Sequence, residues 1–367
     1  MASGFSFGFS GDDIDMDIED TETNDNGSGV QENDAASNLQ ELVKAQRHDM
    51  RQWLSTLPSQ ISYNKCTITP SQDSSRPVTV ARRDVFDIRA QLMVEDSAEE
   101  QNSELIAGLE KGDITPNFYE GGFKTWECSI DLGGLVVGSE GVEGGHVVEL
   151  GAGTAVPSLA LFAQLLAQTE SSTPTPAETR TQFTLADYNS AVLRLVTLPN
   201  FLLTWSHYIT TLPSGSTEAV NDAEQREGEE GELDITPELL ERFVLDLARR
   251  GIVLNLISGA WSPSFVDLVF PSTELASVKT FILASETIYS PASLSAFSET
   301  LLSLLRRSSG KSRALIAAKK VYFGVGGGVD EFLSVVMGMS GSELVVERKD
   351  VKSEGVGRII LEVRLGE

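Results

Sequence analysis

The stretch His-Val-Val-Glu-Leu-Gly-Ala-Gly-Thr, residues 146–154, decides the fold of this chain. Its apolar first half predicts a buried strand, and Gly151 and Gly153 follow that strand directly. A helical pattern then begins at Val156 and Pro157, and proline is well tolerated in a first helical turn. A strand, a glycine turn and a helix in this order are typical of nucleotide-binding α/β folds, in which glycine lets the backbone approach a ligand. A plain tight turn between a buried strand and a helix is the alternative interpretation.

The next apolar run supplies a possible partner for this turn. Residues 182–186 are strand-like and end in Asp187. An acidic residue at the end of the second strand of such folds accepts hydrogen bonds from ribose hydroxyls. Asp187 lies 34 residues after Gly153, whereas the usual spacing is ~20. A loop rich in Thr, Ser and Pro at residues 169–181 accounts for the difference, so we predict a ribose contact for Asp187.

The second half of the chain predicts a mostly parallel sheet. Three short apolar runs, at 252–257, 281–284 and 314–318, have the pattern of parallel strands buried on both faces. Two further strand-like runs, at 343–347 and 358–364, are joined by a turn without a helix and predict an antiparallel hairpin. We therefore predict a Rossmann-like α/β fold of the seven-stranded methyltransferase type, with a C-terminal antiparallel hairpin, rather than a dehydrogenase.

Composition limits the possible partners and the cellular location. The formal net charge of −26 disfavours direct contact with nucleic acid and favours a basic protein partner. Only two cysteines occur, and neither belongs to a Cys-x-x-Cys pair, so we expect neither disulfides nor a structural zinc ion. The first ten residues lack a basic region followed by an apolar stretch, and no apolar run of about 18 residues occurs, so we expect a protein that is neither secreted nor membrane-spanning. We expect a monomer in the cytoplasm, not attached to membranes, with the nucleus left open as a second location.

The N-terminal part of the chain differs in composition from the rest. Residues 1–37 carry ten Asp or Glu and no Lys or Arg, and predict a disordered acidic tail. Such a tail either keeps the protein soluble or attracts a basic partner. Residues 38–115 predict an extension in which the apolar spacing of Asn38–Leu57 indicates a helix with His48 on its surface, followed by short strands.

The predicted methyltransferase domain spans residues 116–367. It contains an acidic insertion near 210–235, because Thr217–Asp234 holds eight acidic residues against a single arginine. Stretches of this kind are usually surface insertions between regular elements.

Several blocks of the sequence resemble the protein-histidine methyltransferase family. The resemblance covers roughly residues 118–366, and its first and last blocks are the most specific. The blocks are Gly-Gly-Phe-Lys-Thr-Trp-Glu-Cys at 121–128, Val-Glu-Leu-Gly-Ala-Gly-Thr at 148–154, Asp-Tyr-Asn at 187–189, Val-Thr-Leu-Pro-Asn at 196–200, Ser-Glu-Thr-Ile-Tyr at 285–289 and Tyr-Phe-Gly-Val-Gly-Gly-Gly at 322–328.

The resemblance implies methylation of a histidine ring nitrogen with S-adenosylmethionine as cofactor, and a basic large-subunit ribosomal protein as the substrate. It implies that Trp126, Glu127 and the two glycines hold the methionine part of the cofactor, and that Trp261 borders the adenine. The complete candidate cofactor site consists of Trp126, Glu127, Glu149, Gly151, Gly153, Thr154, Asp187, Asn189, Trp261 and Ser285. The candidate catalytic residues are Glu286 and Tyr289, and the candidate substrate-binding residues are Tyr322, Phe323 and Gly326.

Two positions depart from the pattern. Ala155 stands where many methyltransferases have a third glycine, and Ala260 stands where relatives often have Asp. The first departure can alter the turn, and the second removes a possible adenine contact.

The chemistry implied for this site needs positioning more than acid or base strength. Methyl transfer from a sulfonium is an in-line displacement, for which alignment of the reacting atoms accounts for much of the rate. A neutral imidazole, with an unperturbed pKa near 6.5, is available at neutral pH without a strong base. We expect Glu286 to accept a hydrogen bond from the other ring nitrogen of the substrate, and we expect no metal.

Two other functions fit the same sequence. The Glu-x-x-Tyr element at 286–289 is shared with lysine methyltransferases, which need an acidic or aromatic pocket for the amine. A non-catalytic chaperone of a basic ribosomal protein would instead use the acidic tail and insertion. Cofactor binding and the identity of the methylated residue distinguish the three functions.

Overall fold

The computed structural model describes residues 43–71, 76–94, 122–138, 141–168, 180–211, 229–308, 311–322, 327–352 and 355–366. The predicted acidic tail, the greater part of the predicted insertion, and the candidate residues Phe323 and Gly326 lie outside the described residues.

Within these ranges the chain forms two sheets. The strands are β1 Gln46–His48, β2 Gln60–Ile68, β3 Val78–Arg83, β4 His146–Leu150, β5 Thr181–Asp187, β6 Glu230–Asp234, β7 Ile252–Ser258, β8 Thr280–Ser285, β9 Ser312–Lys319, β10 Leu344–Val351 and β11 Arg358–Leu365. The helices are α1 Met50–Leu54, α2 Val85–Val94, α3 Glu127–Val136, α4 Val156–Gln168, α5 Leu198–Thr211, α6 Pro237–Arg249, α7 Pro263–Val269, α8 Thr273–Ser277, α9 Pro291–Arg307 and α10 Val329–Ser340. A short α-helical turn, Ser190–Val192, and a π-helical turn, Leu193–Thr197, lead into α5.

The larger sheet has the strand order β1-β7-β5-β4-β8-β9-β11-β10. Its five central strands, β7, β5, β4, β8 and β9, are parallel. Strand β4 is the middle one, and all five of its residues are buried. At one edge β10 and β11 pair antiparallel, with Leu344 opposite Leu365, and β11 runs antiparallel to β9. The predicted α/β fold with a mostly parallel sheet and a C-terminal hairpin is confirmed.

The larger sheet has eight strands among the described residues, one more than predicted, because β1 pairs antiparallel with β7 at the other edge. The helix predicted over residues 38–57 is therefore only partly confirmed in its described part, because residues 46–48 form a strand and only Met50–Leu54 are helical. The Asp49 side chain accepts a hydrogen bond from the backbone N–H of Gln52, so a new, short helix begins there. His48 is also less exposed than predicted, since its Nε2 lies 2.7 Å from Ser258 Oγ and its ring stacks on Trp53.

The smaller sheet has the strand order β3-β2-β6. Its third strand, β6, comes from the end of the predicted acidic insertion, where exposed residues alternate with half-buried ones such as Gly231 and Leu233. This alternation is the pattern of a strand with one solvated face. In both sheets, strands from the predicted N-terminal extension thus pair with strands of the predicted methyltransferase domain.

Helices cover both faces of the larger sheet. Helices α3 to α6 bury residues such as Leu132, Phe162 and Trp205 on one face, and α7 to α10 bury residues such as Phe297 and Phe332 on the other. Parallel sheets covered in this way bind ligands at the carboxyl ends of their strands. Along the described part of the chain, no helix is long and apolar enough to cross a membrane.

Candidate active site

A cavity of about 420 Å³ opens at the carboxyl ends of β4, β5, β7 and β8. Its volume lies within the range of small-molecule sites. Nine of the candidate residues line it, namely Trp126, Gly151, Gly153, Thr154, Asp187, Trp261, Ser285, Glu286 and Tyr289. Sequence patterns that are far apart in the chain therefore meet around one cavity.

The glycine turn after β4 forms one wall of this cavity. Gly151 has φ +66° and Gly153 has φ +51°, both in the left-handed region that favours glycine. Ala155, which replaces a third glycine, also takes a left-handed backbone with φ +57°. Replacement of the third glycine by alanine therefore leaves the backbone conformation left-handed at this position. For a residue with a Cβ, that conformation costs about 1–2 kcal/mol of conformational free energy.

Asp187 connects this turn to the end of β5. Its Oδ2 accepts a hydrogen bond of 3.0 Å from the Gly153 N–H, and its Oδ1 accepts one of 3.1 Å from the Asn189 N–H. A carboxylate has about four lone-pair positions and can accept several hydrogen bonds at once. Asn189 does not line the cavity; its side chain instead accepts a hydrogen bond from the Ala191 N–H and caps the helical turn that follows.

Glu149 lies behind the cavity wall. The residue is fully buried, and its Oε2 accepts a hydrogen bond of 3.0 Å from the Ser158 N–H near the start of α4. Burial raises the pKa of Glu149 from 4.5 to about 8, although the hydrogen bonds with Ser158 act in the opposite direction. The folded protein therefore keeps this carboxyl protonated at pH values where the unfolded chain ionises it.

We expect a Glu149→Gln variant to become more stable relative to the wild type as the pH rises. The stability linked to Glu149 is fully present below about pH 4.5 and is lost as the pH rises through about 8, at up to about 1.4 kcal/mol per pH unit. Urea unfolding of both proteins from pH 5 to 8.5 measures the difference. His146 titrates in the opposite direction, with its pKa lowered to about 4 by burial, but it is present in both proteins and cancels. A difference that does not change with pH would contradict the prediction.

Trp126 and Glu127 begin α3 and differ in their placement. The Trp126 ring lines the cavity, with the Nζ atoms of Lys124 and Lys319 at 5.2 and 5.1 Å from its centroid, which is cation–π distance. Glu127 does not line the cavity; its side chain is 59% exposed and its Oε2 lies 3.5 Å from Lys319 Nζ. A hydrogen bond from its own backbone N–H, followed by the Lys319 charge, holds the pKa of Glu127 below its usual value.

Glu286 follows β8 in a left-handed backbone conformation, with φ +56°. Strained conformations of this kind in residues other than glycine cluster at functional sites. Its Oε2 accepts a hydrogen bond of 2.6 Å from the Tyr322 hydroxyl, and its Oε1 lies 3.7 Å from Lys319 Nζ. The Tyr322 oxygen in turn accepts a hydrogen bond from the Lys319 backbone N–H. A phenol and an ammonium group thus fix the orientation of a carboxylate that is only 9% exposed.

Two neighbours of Glu286, the Tyr322 hydroxyl and the Cys128 thiol, stay protonated at neutral pH. Burial, followed by the negative charge of Glu286, raises the pKa of the Tyr322 hydroxyl well above its usual value. The same two causes raise the pKa of the Cys128 thiol. Tyr322 therefore stays a hydrogen-bond donor to Glu286 over the whole neutral range. Among the described residues, no group of three or more His, Cys, Asp or Glu side chains is arranged to hold a metal ion.

Tyr289 and Tyr322 lie next to each other, with ring centroids 6.2 Å apart. Tyr289 lines the cavity. Tyr322 does not line it, but its hydroxyl donates a hydrogen bond to Glu286, which does. Gly327, in the described end of the glycine-rich block, lies against the backbone of Tyr289, and a Cβ on Gly327 would collide with the Tyr289 carbonyl. Glycine at 327 thus allows this backbone to lie against the cavity wall.

Two parts of the site were missed in the sequence. Lys319, at the end of β9, contacts Trp126, Glu127 and Glu286; its position at the carboxyl end of a parallel strand was the available signal. Residues 43–45 pack on the turn after β7, where the Ala260 N–H donates to the Val43 carbonyl. That contact joins residues more than 200 positions apart, so no local sequence pattern could predict it.

Two yeast proteins are similar to this chain over most of its length. No protein-family model matches the chain. Histidine protein methyltransferase 1 of Saccharomyces cerevisiae is 34% identical over 345 residues, which cover 89% of this chain and 89% of the relative. The protein of the same name from Schizosaccharomyces pombe is 33% identical over 98% of this chain and 93% of its own length. Among solved structures, the O-methyltransferase TomG of Streptomyces achromogenes in complex with SAM has a TM-score of 0.31 and 10% identity over 74% of this chain and 92% of its own. From the two yeast relatives, we conclude that the chain belongs to the histidine protein methyltransferase 1 family.

Proposed function

We propose that this protein transfers a methyl group from S-adenosylmethionine to a ring nitrogen of a histidine in a protein substrate. One observation carries the proposal: the glycine turn and Asp187 line the same cavity as Glu286 and Tyr289. The first pair suits a nucleoside-containing cofactor, and the second pair suits an incoming side chain. The names of the relatives agree with this assignment.

The cavity wall fits the proposed cofactor. A Cβ added to Gly151 would lie only 2.7 Å from the Thr287 Cγ2, so glycine lets the turn pack closely on Thr287, and both residues line the cavity. The Asp187 carboxylate would accept hydrogen bonds from the ribose hydroxyls, and the Trp261 ring would border the adenine. Trp126 and Thr154 would lie along the methionine part. When bound, S-adenosylmethionine supplies an electrophilic methyl group on a sulfonium.

Glu286 orients the proposed histidine substrate. Its carboxylate would accept a hydrogen bond from the ring N–H that is not methylated, which selects the tautomer whose other nitrogen carries the lone pair. The same carboxylate stabilises the positive charge that the ring gains as the new N–C bond forms. Tyr322 and Lys319 keep this carboxylate in one orientation, so it needs no reorganisation during the reaction. Tyr289 forms the side of the pocket along which the ring would lie.

We further propose that the substrate is a basic protein of the large ribosomal subunit and that the enzyme acts on it as a monomer in the cytoplasm. The formal net charge of −26 supports a basic partner, because opposite charges accelerate encounter. A histidine that is neutral at the pH of the cytoplasm provides the nucleophile without a strong base.

The proposed function predicts methylhistidine as the product of a direct assay. Full-length protein is incubated with radiolabelled S-adenosylmethionine and purified large-subunit ribosomal proteins, and the labelled protein is hydrolysed for amino-acid analysis. We expect label in methylhistidine, and mass spectrometry of the same product identifies the modified position. Methyl-lysine as the only labelled product would instead indicate a lysine methyltransferase. Absence of cofactor binding in calorimetry would favour a non-catalytic chaperone.

A further inference from the structure

Two buried side chains hold the backbone of the glycine turn from the side opposite the cavity. The Thr197 hydroxyl donates a hydrogen bond of 2.6 Å to the Gly153 carbonyl, and the Asn200 amide Nδ2 donates one of 3.0 Å to the Thr154 carbonyl. Both residues have no exposed surface. Neither lines the cavity, so neither can contact a ligand there directly.

Asn200 also connects the turn to the smaller sheet. Its Oδ1 accepts a hydrogen bond of 2.7 Å from the backbone N–H of Arg83, the last residue of β3. Arg83 is buried, with 3% of its surface exposed. Its guanidinium donates hydrogen bonds of 3.0 Å to the Leu195 carbonyl and 2.7 Å to the Asp87 carboxylate. A continuous set of hydrogen bonds therefore runs from β3 through Asn200 to the glycine turn.

The helical segment departs from α-helical geometry where it meets the turn. Residues Leu193–Thr197 form a π-helical turn that ends at Thr197. A π-helical turn accommodates one extra residue and shifts the side chains that follow, and such turns occur frequently at functional sites. The Thr197 hydroxyl lies 3.4 Å from the Val192 carbonyl and only 2.6 Å from that of Gly153. Its shorter hydrogen bond thus goes to the glycine turn and not to its own helix.

We propose that Thr197 and Asn200 are positioning residues that set the affinity for the cofactor by fixing the shape of the glycine turn. Removing either donor leaves a buried carbonyl of the turn without its partner, which is costly enough for the turn to rearrange. A rearranged turn would no longer present the glycine backbone and the Asp187 contact in the geometry that forms the cavity wall. This inference rests on the proposed function, because it assumes that the cavity binds S-adenosylmethionine.

The test compares variants of Thr197 with a matched variant on the same helix. Thr197→Val keeps the shape of the side chain and removes the donor, whereas Thr197→Ser keeps the donor. Calorimetry measures the Kd for S-adenosylmethionine, and methylation assays give kcat at saturating cofactor and KM for the protein substrate. We expect Thr197→Val to raise the Kd about tenfold, with kcat and the KM for the protein substrate nearly unchanged. Thr197→Ser restores most of the affinity.

Thr204→Val is the control. Thr204 is also fully buried on α5, and its hydroxyl is hydrogen-bonded to the backbone of Ala81 in β3 rather than to the glycine turn. We expect a similar loss of thermal stability and an unchanged Kd. An unchanged Kd in Thr197→Val, beside a wild type that binds, would overturn the inference and leave the proposed function standing. An equal rise in the Kd for S-adenosylmethionine in Thr197→Val and Thr204→Val would also overturn it, since the effect would then come from reduced overall stability. A wild type that does not bind S-adenosylmethionine would overturn both.

Discussion

The Glu286→Gln variant is expected to lower kcat for methylation of the protein substrate by at least about 100-fold, the usual effect of removing one preorganised electrostatic group. Glutamine has nearly the same shape and can still accept the hydrogen bond from the Tyr322 hydroxyl. It loses the negative charge, which the imidazole needs as its own positive charge develops. The Kd for S-adenosylmethionine should change little, because the proposed contacts to the cofactor come from Asp187 and the glycine turn.

Two further variants test where this effect originates. Tyr322→Phe removes the hydroxyl that fixes Glu286 Oε2, and we expect a smaller decrease in kcat because the charge remains while its orientation is less fixed. Glu241→Gln removes an exposed carboxylate on α6 that forms a surface ion pair with Arg51, and it should leave kcat unchanged. Single-turnover assays at saturating cofactor measure the chemical step in all three proteins. Wild-type kcat in Glu286→Gln would contradict the assigned role.

The parts of this fold that were predictable from the sequence are those with a local pattern. A recognisable hydrophobic spacing bounded by turn residues marks three such parts. They are the glycine turn at 146–154, the apolar runs that form β7, β8 and β9, and the hairpin of β10 and β11. Each is also largely defined within a few tens of residues. Their assembly into one sheet follows from the known preferences for parallel strands.

The parts that were not predictable depend on distant partners. Strand β1 has three residues and exists because it pairs with β7, about 210 positions away; nothing in residues 43–57 distinguishes it from a helix by spacing alone. Strand β6 lies in an acidic stretch of low β-propensity and is stabilised by pairing with β2. Tertiary pairing overrides local propensity in both cases.

The candidate site shows the same division. Residues at strand ends, such as Asp187 and Glu286, could be placed near a cavity from topology alone. The direction of a side chain could not be predicted in this way. The sequence therefore did not reveal that Glu149 is buried in the core or that Lys319 lies between the carboxylates of Glu127 and Glu286. These directions depend on packing between α3, α4 and the sheet, which local sequence does not encode.

A Gly151→Ala variant is expected to bind S-adenosylmethionine about 10- to 100-fold more weakly than the wild type. The added Cβ would lie 2.7 Å from Thr287 Cγ2, and both residues line the cavity. Thr287 is buried and cannot move away freely. The alanine would also occupy a backbone conformation with φ +66°, which costs about 1–2 kcal/mol. Calorimetry with S-adenosylmethionine measures the affinity, and thermal unfolding measures the stability.

Gly341→Ala separates the two costs of this substitution. Gly341 has φ +60°, close to that of Gly151, but nothing lies within 4 Å of a Cβ added there, and the residue is not part of the cavity wall. The Gly341 variant should therefore lose stability from backbone strain alone and keep the wild-type Kd. If both variants weaken binding equally, the affinity depends on global stability and not on the shape of the turn. If only Gly151→Ala weakens binding, the affinity depends on the local packing of the glycine turn against Thr287 in the cavity wall.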